Sequence, residues 1–325
     1  MPLLPRTLLA AASALALGLA ALPANAQGFP DKPIRMIVPW SPGGSTDIIG
    51  RTLAARVSQT SGQQVIVENK PGAGGAIGAE QGAKAAADGY TLTIVELTHA
   101  GSQALLAKVP YDLTTDFATV AHLGSSPLVL FANAQLKANN FRQLIAASRE
   151  GNPIPFAIVG AGSVSHLMGE SLQMKENARF IFVPYKGGAP AMADLTAGEV
   201  KLFFGTLATG SGALKTGRVK AIGIAGARRL AALPEVATAA EEGLSDMVVE
   251  QWWALVAPAK TAAPVMEKLK SEFGAALAYA STKERMASLG IEPGSLTPEQ
   301  FGPFMGAEIR RWNKVAKDAN IKIEQ

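Results

Sequence analysis

No cysteine occurs in the 325-residue chain. That excludes a disulfide framework, a thiolate nucleophile, a thiolate-bound zinc and a lipid-modified cysteine. Charge is scarce as well: Asp, Glu, Lys and Arg make up 17% of the residues, against about 25% in an average globular chain. The 30 basic residues outnumber the 26 acidic ones by only four and are scattered, with Arg228-Arg229 and Arg310-Arg311 the only basic doublets. A nucleic-acid partner calls for a basic stripe interleaved with aromatics, and the sequence has none. The three histidines, His99, His122 and His166, do not form an H-x-x-x-H pair, so neither a metal nor another cofactor is expected. No serine stands in the G-x-S-x-G context of a hydrolase nucleophile.

Only one long apolar run is present, Leu8 to Leu22, preceded by Arg6 and followed by Ala24-Asn25-Ala26. Its 15 residues fall short of the ~20 needed to span a bilayer. The layout is that of a secretory signal peptide over residues 1–26, cleaved before Gln27. The expected product is an exported protein without an anchor, periplasmic in a bacterium. Its remaining 299 residues exceed what one hydrophobic core usually covers, so two lobes are expected.

Apolar β-branched runs alternate with segments of helical period, which predicts an α/β fold with two mostly parallel sheets flanked by helices. Strands are expected at Ile34–Val38, Gln64–Val67 and Thr91–Val95, and a second series opens at Pro127–Asn133 and continues at Phe156–Val159, Phe180–Val183, Leu202–Phe204 and Ala221–Ile224. Helices are predicted from about Thr46 to Ser58, from Ala76, over Phe141–Arg149 and over Ser165–Lys175. Val248–Ala257 reads as one more long strand, with two closing helices after it. In the last, Phe301, Phe304, Met305, Ile309, Trp312 and Val315 share one face, which makes Trp312 a core residue.

Two segments combine a strand end, a glycine turn and a helix start: Val38 to Asp47, and Val159 to His166. Glycines let the backbone approach a ligand closely, and free N–H groups at a helix start attract a carboxylate or phosphate. Ser45, Thr46, Asp47, Ser163 and Ser165 are also good helix caps. In open α/β sheets ligands lie at the carboxyl ends of strands, so one such loop from each half is what a shared cleft requires. Micromolar binding needs about 8 kcal/mol, a charge-assisted hydrogen bond nets about 1.5–3 kcal/mol and association costs roughly 4–15 kcal/mol. A single loop is therefore insufficient. Gly72 to Gly78 looks superficially like a dinucleotide fingerprint, but Ile77 replaces its third glycine.

Further landmarks stand in order along the chain: Phe29 to Arg35, Val38 to Asp47, Glu68 to Gly75, Asp88 to Leu92, Pro110 to Asp112 with Asp116-Phe117, Gly160 to His166, and Val183 to Ala191 with Asp194-Leu195. By these residues the chain, over 29 to 323, resembles the Bug (Bordetella uptake gene) family, the periplasmic substrate-binding proteins of tripartite tricarboxylate transporters. The resemblance implies a two-lobed type II periplasmic-binding-protein fold with a central ligand cleft. The lobes are expected at 27–124 with 229–325, and at 125–228. It also implies a non-enzymatic, monomeric receptor for a small carboxylate. Its partner would be the membrane subunits of a tripartite tricarboxylate transporter or, alternatively, a sensor protein. An exported hydrolase or isomerase using His166 with Ser163 or Ser165 is the reading from a different class.

Carried onto this sequence, the implied ligand-binding residues are Ser41, Pro42, Gly43, Gly44, Ser45, Thr46 and Asp47 in the first loop. Asn69, Thr98 and His99 lie near the cleft, and Gly162, Ser163, Ser165, Tyr185 and Asp194 come from the opposing lobe. Where many relatives carry acids, this chain has Lys201 and Gly205. If Gly205 faces the cleft, the pocket is less negative there, and Gly205→Asp would weaken anion binding.

Overall fold

In a computed structural model of the chain, residues 28–106 and 108–318 are described; the expected leader, 1–26, lies outside them. β1 (Ile34–Val38) is central among the first strands, parallel to β2 (Val65–Asn69) on one side and β3 (Thr91–Glu96) on the other. Helix α1 (Ser45–Ser61) follows the first glycine turn and ends where Gly62 takes the left-handed conformation, φ 73°. A short 3-10 turn at Ala73–Gly75 leads into α2 (Ala76–Ala83), and α3 (Leu97–Leu105) follows β3 directly.

β4 (Phe117–Asn133) runs for 17 residues. It is followed by α4 (Phe141–Arg149), β5 (Ile154–Ile158), α5 (Val164–Glu176), β6 (Phe180–Pro184) and α6 (Gly188–Ala197). Next come β7 (Leu202–Gly205), α7 (Leu207–Lys215), β8 (Val219–Ala225) and β9 (Glu250–Pro258). The chain closes with α8 (Ala263–Ala278), α9 (Ala280–Ser288), the two-residue β10 (Glu292–Pro293) and α10 (Pro298–Asp318). Three helices therefore follow β9 where two are predicted, because the backbone leaves the helix at Tyr279 (ψ 136°).

Two sheets share β4. Its first half, Phe117 to Pro127, pairs antiparallel with β9, which inserts between β3 and β4. Its second half, Leu128 to Asn133, pairs antiparallel with β7 and β8, and β5 lies parallel between β7 and β6. The sheets are thus mixed rather than mostly parallel: four pairings are parallel and five antiparallel among the described residues. The first half of β4 is not predicted from the sequence. Two register shifts, at Thr119/Ala121 and His122/Gly124, break the period-2 alternation on which such a prediction rests.

One apolar cluster lies beneath both sheets, joining Val95, Trp252, Phe301, Met305 and Trp312 to Phe156, Leu202 and Phe204. Trp312 is buried there, as predicted. The other faces are covered separately. Ile34, Met36, Leu53, Trp253 and Phe273 pack between the first sheet, α1 and α8, and Val129, Phe131, Ala191 and Phe203 pack between the second sheet and α6. No helix among the described residues is long and apolar enough to cross a membrane.

Candidate functional site

The two glycine loops meet across a cavity of about 60 Å³ between the sheets. Its polar wall comes from the start of α1 (Gly44, Ser45, Thr46), from Glu96 and Thr98 after β3, from Ser165 on α5, and from Thr206, Thr209 and Gln251. Trp40, Leu128, Val159, Val164, Phe203 and Phe204 supply the apolar wall. Lys, Arg and His are absent from this lining.

The first loop is built to expose N–H groups. Gly44 is the residue before α1, and no side chain caps the helix. Ser45 N–H donates to Thr209 Oγ1 at 3.2 Å across the cavity, while the N–H groups of Gly44, Thr46 and Asp47 meet no acceptor among the described residues. Such unsatisfied donors at a helix start, reinforced by the helix dipole, favour an anion. Asp47 turns away from the cavity. Its carboxylate accepts from Gly43 N–H (3.0 Å), Arg51 Nε (3.0 Å) and Asn69 Nδ2 (2.9 Å), and Asn69 also donates to the Trp40 carbonyl (2.9 Å). Burial works against ionisation of Asp47, but Arg51, Gly43 and Asn69 outweigh it and hold the carboxyl below its ordinary range.

Glu96, at the end of β3, is not singled out by the sequence. It is buried, and its Oε2 accepts from Thr46 Oγ1 at 2.5 Å and Trp253 Nε1 at 3.1 Å. Burial pushes its pKa up to about 7, against the pull of these donors. The Glu96 N–H donates to His99 Nδ1 (3.1 Å), and burial drives His99 down to about 4. His99 is fully enclosed between Trp40 and Tyr111, outside the cavity wall.

Of the sequence-predicted residues, Gly44, Ser45, Thr46, Thr98 and Ser165 line the cavity together. Ser41, Pro42, Gly43, Asp47 and Asn69 shape and brace the first loop, Ser41 through its N–H to the Lys186 carbonyl at 3.2 Å. Ser163 caps α5, its Oγ accepting from His166 N–H, and shares a hydrogen bond with Ser165 Oγ at 3.0 Å. Gly162 N–H donates to His166 Nδ1. Tyr185 and Asp194 bond each other, hydroxyl to carboxylate at 2.7 Å, away from the lining. Gly205 does line the cavity, but a Cβ there would stand 2.6 Å from the Phe203 ring. Lys201 instead donates to the Gly198 carbonyl at the end of α6. Sequence reading also misses Thr206, Thr209 and Gln251. The strand-end rule would have reached Glu96 had β3 been extended by one residue, and Thr206 had β7 been extended by two.

A mixed α/β sheet pair holding a small, donor-rich cavity between its strand ends is the arrangement of a periplasmic binding protein, and comparison with solved structures agrees. The chain superposes on the periplasmic binding protein BugD with a TM-score of 0.87 at 32% identity, covering 91% of this chain and 100% of that one. It superposes on MatC from Rhodopseudomonas palustris with bound malate with a TM-score of 0.84, also at 32% identity, covering 88% and 99%. Its sequence is 36% identical to Protein BugT of Bordetella pertussis over 308 residues, 94% of each chain. Residues 49–321 match the model of the tripartite tricarboxylate transporter family receptor. The chain belongs to that family of solute-binding receptors.

Proposed function

We propose that this receptor captures a small carboxylate in the cavity between its sheets and delivers it to the membrane subunits of a tripartite tricarboxylate transporter. The observation that carries the reading is the uncapped start of α1 opening on that cavity, with the hydroxyls of Thr98, Ser165, Thr206 and Thr209 around it. Gly44, Ser45, Thr46, Thr98 and Ser165 would touch the ligand. Ser41, Asp47 and Asn69 hold the loop in shape. The malate bound by MatC is of the same chemical class.

The lobe limits expected from the sequence, 27–124 with 229–325 and 125–228, gain support from two crossings. β4 exchanges partners between Pro127 and Leu128, and the chain returns between Ala225 and Glu250. Closure brings Ser41 to Lys186 and Ser45 to Thr209, and a ligand favours that state through its differential affinity. Export through the 1–26 leader would give an unanchored, monomeric periplasmic protein with Gln27 as its first residue. Cell fractionation with N-terminal sequencing tests this directly.

A hydrolase built on His166 finds no support in the geometry. Gly162 N–H occupies Nδ1, Nε2 faces Glu170 at 3.4 Å, and the Ser163 hydroxyl is engaged with Ser165. A sensor role would share the same binding event and differ in the partner.

The test is a melting screen against mono-, di- and tricarboxylates, amino acids and aromatic acids. A ligand at a hundredfold excess over its Kd adds about 2.7 kcal/mol, which for a chain of this size raises Tm by roughly 2–4 °C or more. A screen with no shift, confirmed by calorimetry, would remove the receptor reading.

A further inference from the structure

We infer that both sheets hold one and the same carboxylate, between the start of α1 and two threonine hydroxyls, Thr206 and Thr209, at the start of α7. This rests on the cavity being the carboxylate site proposed above, and it assigns the second sheet's side of that site.

Gly44 gives α1 no side chain to cap its first N–H groups, and the second sheet supplies the missing acceptor. Thr209, in the first turn of α7, accepts from Ser45 N–H at 3.2 Å. Its position is fixed from the side as well. A Cβ on Gly188 would lie 3.1 Å from Thr209 Cγ2 and 3.4 Å from Oγ1, so the threonine is seated against bare backbone at the start of α6. A β-branched side chain held at both its methyl and its hydroxyl has little rotamer freedom left.

A threonine hydroxyl carries one proton and two lone pairs. Ser45 N–H takes a lone pair of Thr209 and leaves its proton unspent, because the hydroxyl beside it, Thr206 Oγ1, stands 3.5 Å away, beyond the roughly 2.5–3.0 Å of an ordinary O–H···O bond. Thr206 is the independent observation. It is 3% exposed, it precedes α7 without capping it, and its hydroxyl makes no hydrogen bond among the described residues other than that long contact. A buried hydroxyl so poorly paired is uncommon in folded chains. Both hydroxyls line the cavity, and an oxygen placed between them would accept from the two together.

The N–H of Thr46, next along the chain from Ser45, is one of the free donors of α1. The two oxygens of one carboxylate thus meet α1 on one side and α7 on the other, and each helix start adds its dipole. The bond from Ser45 N–H polarises the Thr209 hydroxyl and makes it a stronger donor. Since its accepting side faces Ser45, what it offers the cavity is a proton, which suits an acceptor oxygen and not an ammonium group. Glu96, the acid of the lining, is engaged elsewhere: its carboxyl caps α3 and accepts from Thr46 and Trp253. The rest of the ligand meets Leu128, Val159, Val164 and Phe203.

Calorimetric titration of the whole mature chain with propionate, succinate and citrate tests the inference on wild type, Thr206→Val, Thr209→Val and Thr209→Ser. Valine keeps the shape of threonine and removes the hydroxyl. Each valine variant should bind the tightest of the three acids about tenfold or more weakly, the loss of a charge-assisted contact. Thr209→Ser keeps the hydroxyl and should stay within a few-fold of wild type. Thr206→Val is the decisive variant, because Thr206 makes no hydrogen bond to α1 among the described residues, and a purely structural role for Thr209 would leave it without effect. Wild-type affinity in both valine variants overturns the inference and leaves the carboxylate reading standing. A loss confined to Thr209→Val also overturns it, reducing Thr209 to a cap on α1. Should the urea midpoint show that Thr209→Val does not fold, Thr206→Val and Thr209→Ser decide the matter. If none of the three classes of acid binds the wild-type chain, the inference and the carboxylate reading fall together.

Discussion

Glu96 and His99 are three residues apart, bonded through the Glu96 N–H, and displaced by burial in opposite directions. Glu96 rises from 4.5 to about 7, so the folded state keeps a proton the unfolded state has lost, and its contribution to stability falls as pH climbs through that interval. His99 drops from 6.5 to about 4, so the unfolded state holds the extra proton and stability rises with pH over that interval. Between about pH 4.5 and 6.5 the two slopes oppose each other. Glu96→Gln should therefore unmask a rise in stability with pH, read as urea midpoints at pH 4.5, 5.5 and 6.5. An unchanged profile would mean that Glu96 does not titrate as its burial implies. Gly205 illustrates a second residue-scale effect. The sequence suggests a charge explanation for its place in the pocket, whereas the structure adds a steric one, since any Cβ meets the Phe203 ring. Gly205→Ala should cost about 1–3 kcal/mol from overpacking, measured by denaturant melts. Only an effect of Gly205→Asp beyond that of Ala would report on charge.

Among the elements, the first loop and α1 show how far sequence reading reaches. The turn, the helix and its anion-attracting start are legible from Gly43, Gly44 and the polar residues after them. The division of labour within the loop is not, because Ser45, Thr46 and Asp47 are all competent caps, and only the fold shows that Asp47 points backward to Arg51 and Asn69. Asp47→Ala should accordingly cost about 1.5–3 kcal/mol, the loss of a buried charge-assisted bond, and should weaken ligand binding although Asp47 lies outside the cavity. Titration of the folded variant with the best ligand of the melting screen checks this, and an unaltered affinity would deny the loop its bracing role. β4 marks the limit in the other direction. Its bulges hide the pattern over Phe117 to Ser126, so a strand joining both sheets reads in sequence as belonging to one.

Across the whole molecule, the two glycine loops set backbone against backbone where Gly160 meets Gly74. A Cβ on Gly160 would lie 2.8 Å from Gly74 Cα, whereas a Cβ on Gly74 would have no neighbour nearer than 3.8 Å. Both glycines have positive φ, 114° and 61°, so both substitutions carry backbone strain. Gly160→Ala alone inserts a wedge. It should hold the sheets apart, raising the radius of gyration in small-angle scattering and lowering ligand affinity, while Gly74→Ala retains the wild-type dimension. Equal behaviour of the two variants would mean that this contact does not set the spacing of the sheets. The strand order also governs when the molecule can assemble. β9 inserts between β3 and β4, although it is encoded more than 150 residues after β3 begins. Until that late segment is available, β3 and the first half of β4 each lack a partner on one side, and unpaired strand edges invite association. Loop closure over such a separation makes the pairing slow. A chain made from its N-terminus thus stays unfinished through most of its synthesis, the condition a polypeptide needs if it is to be threaded through a translocation channel before it folds.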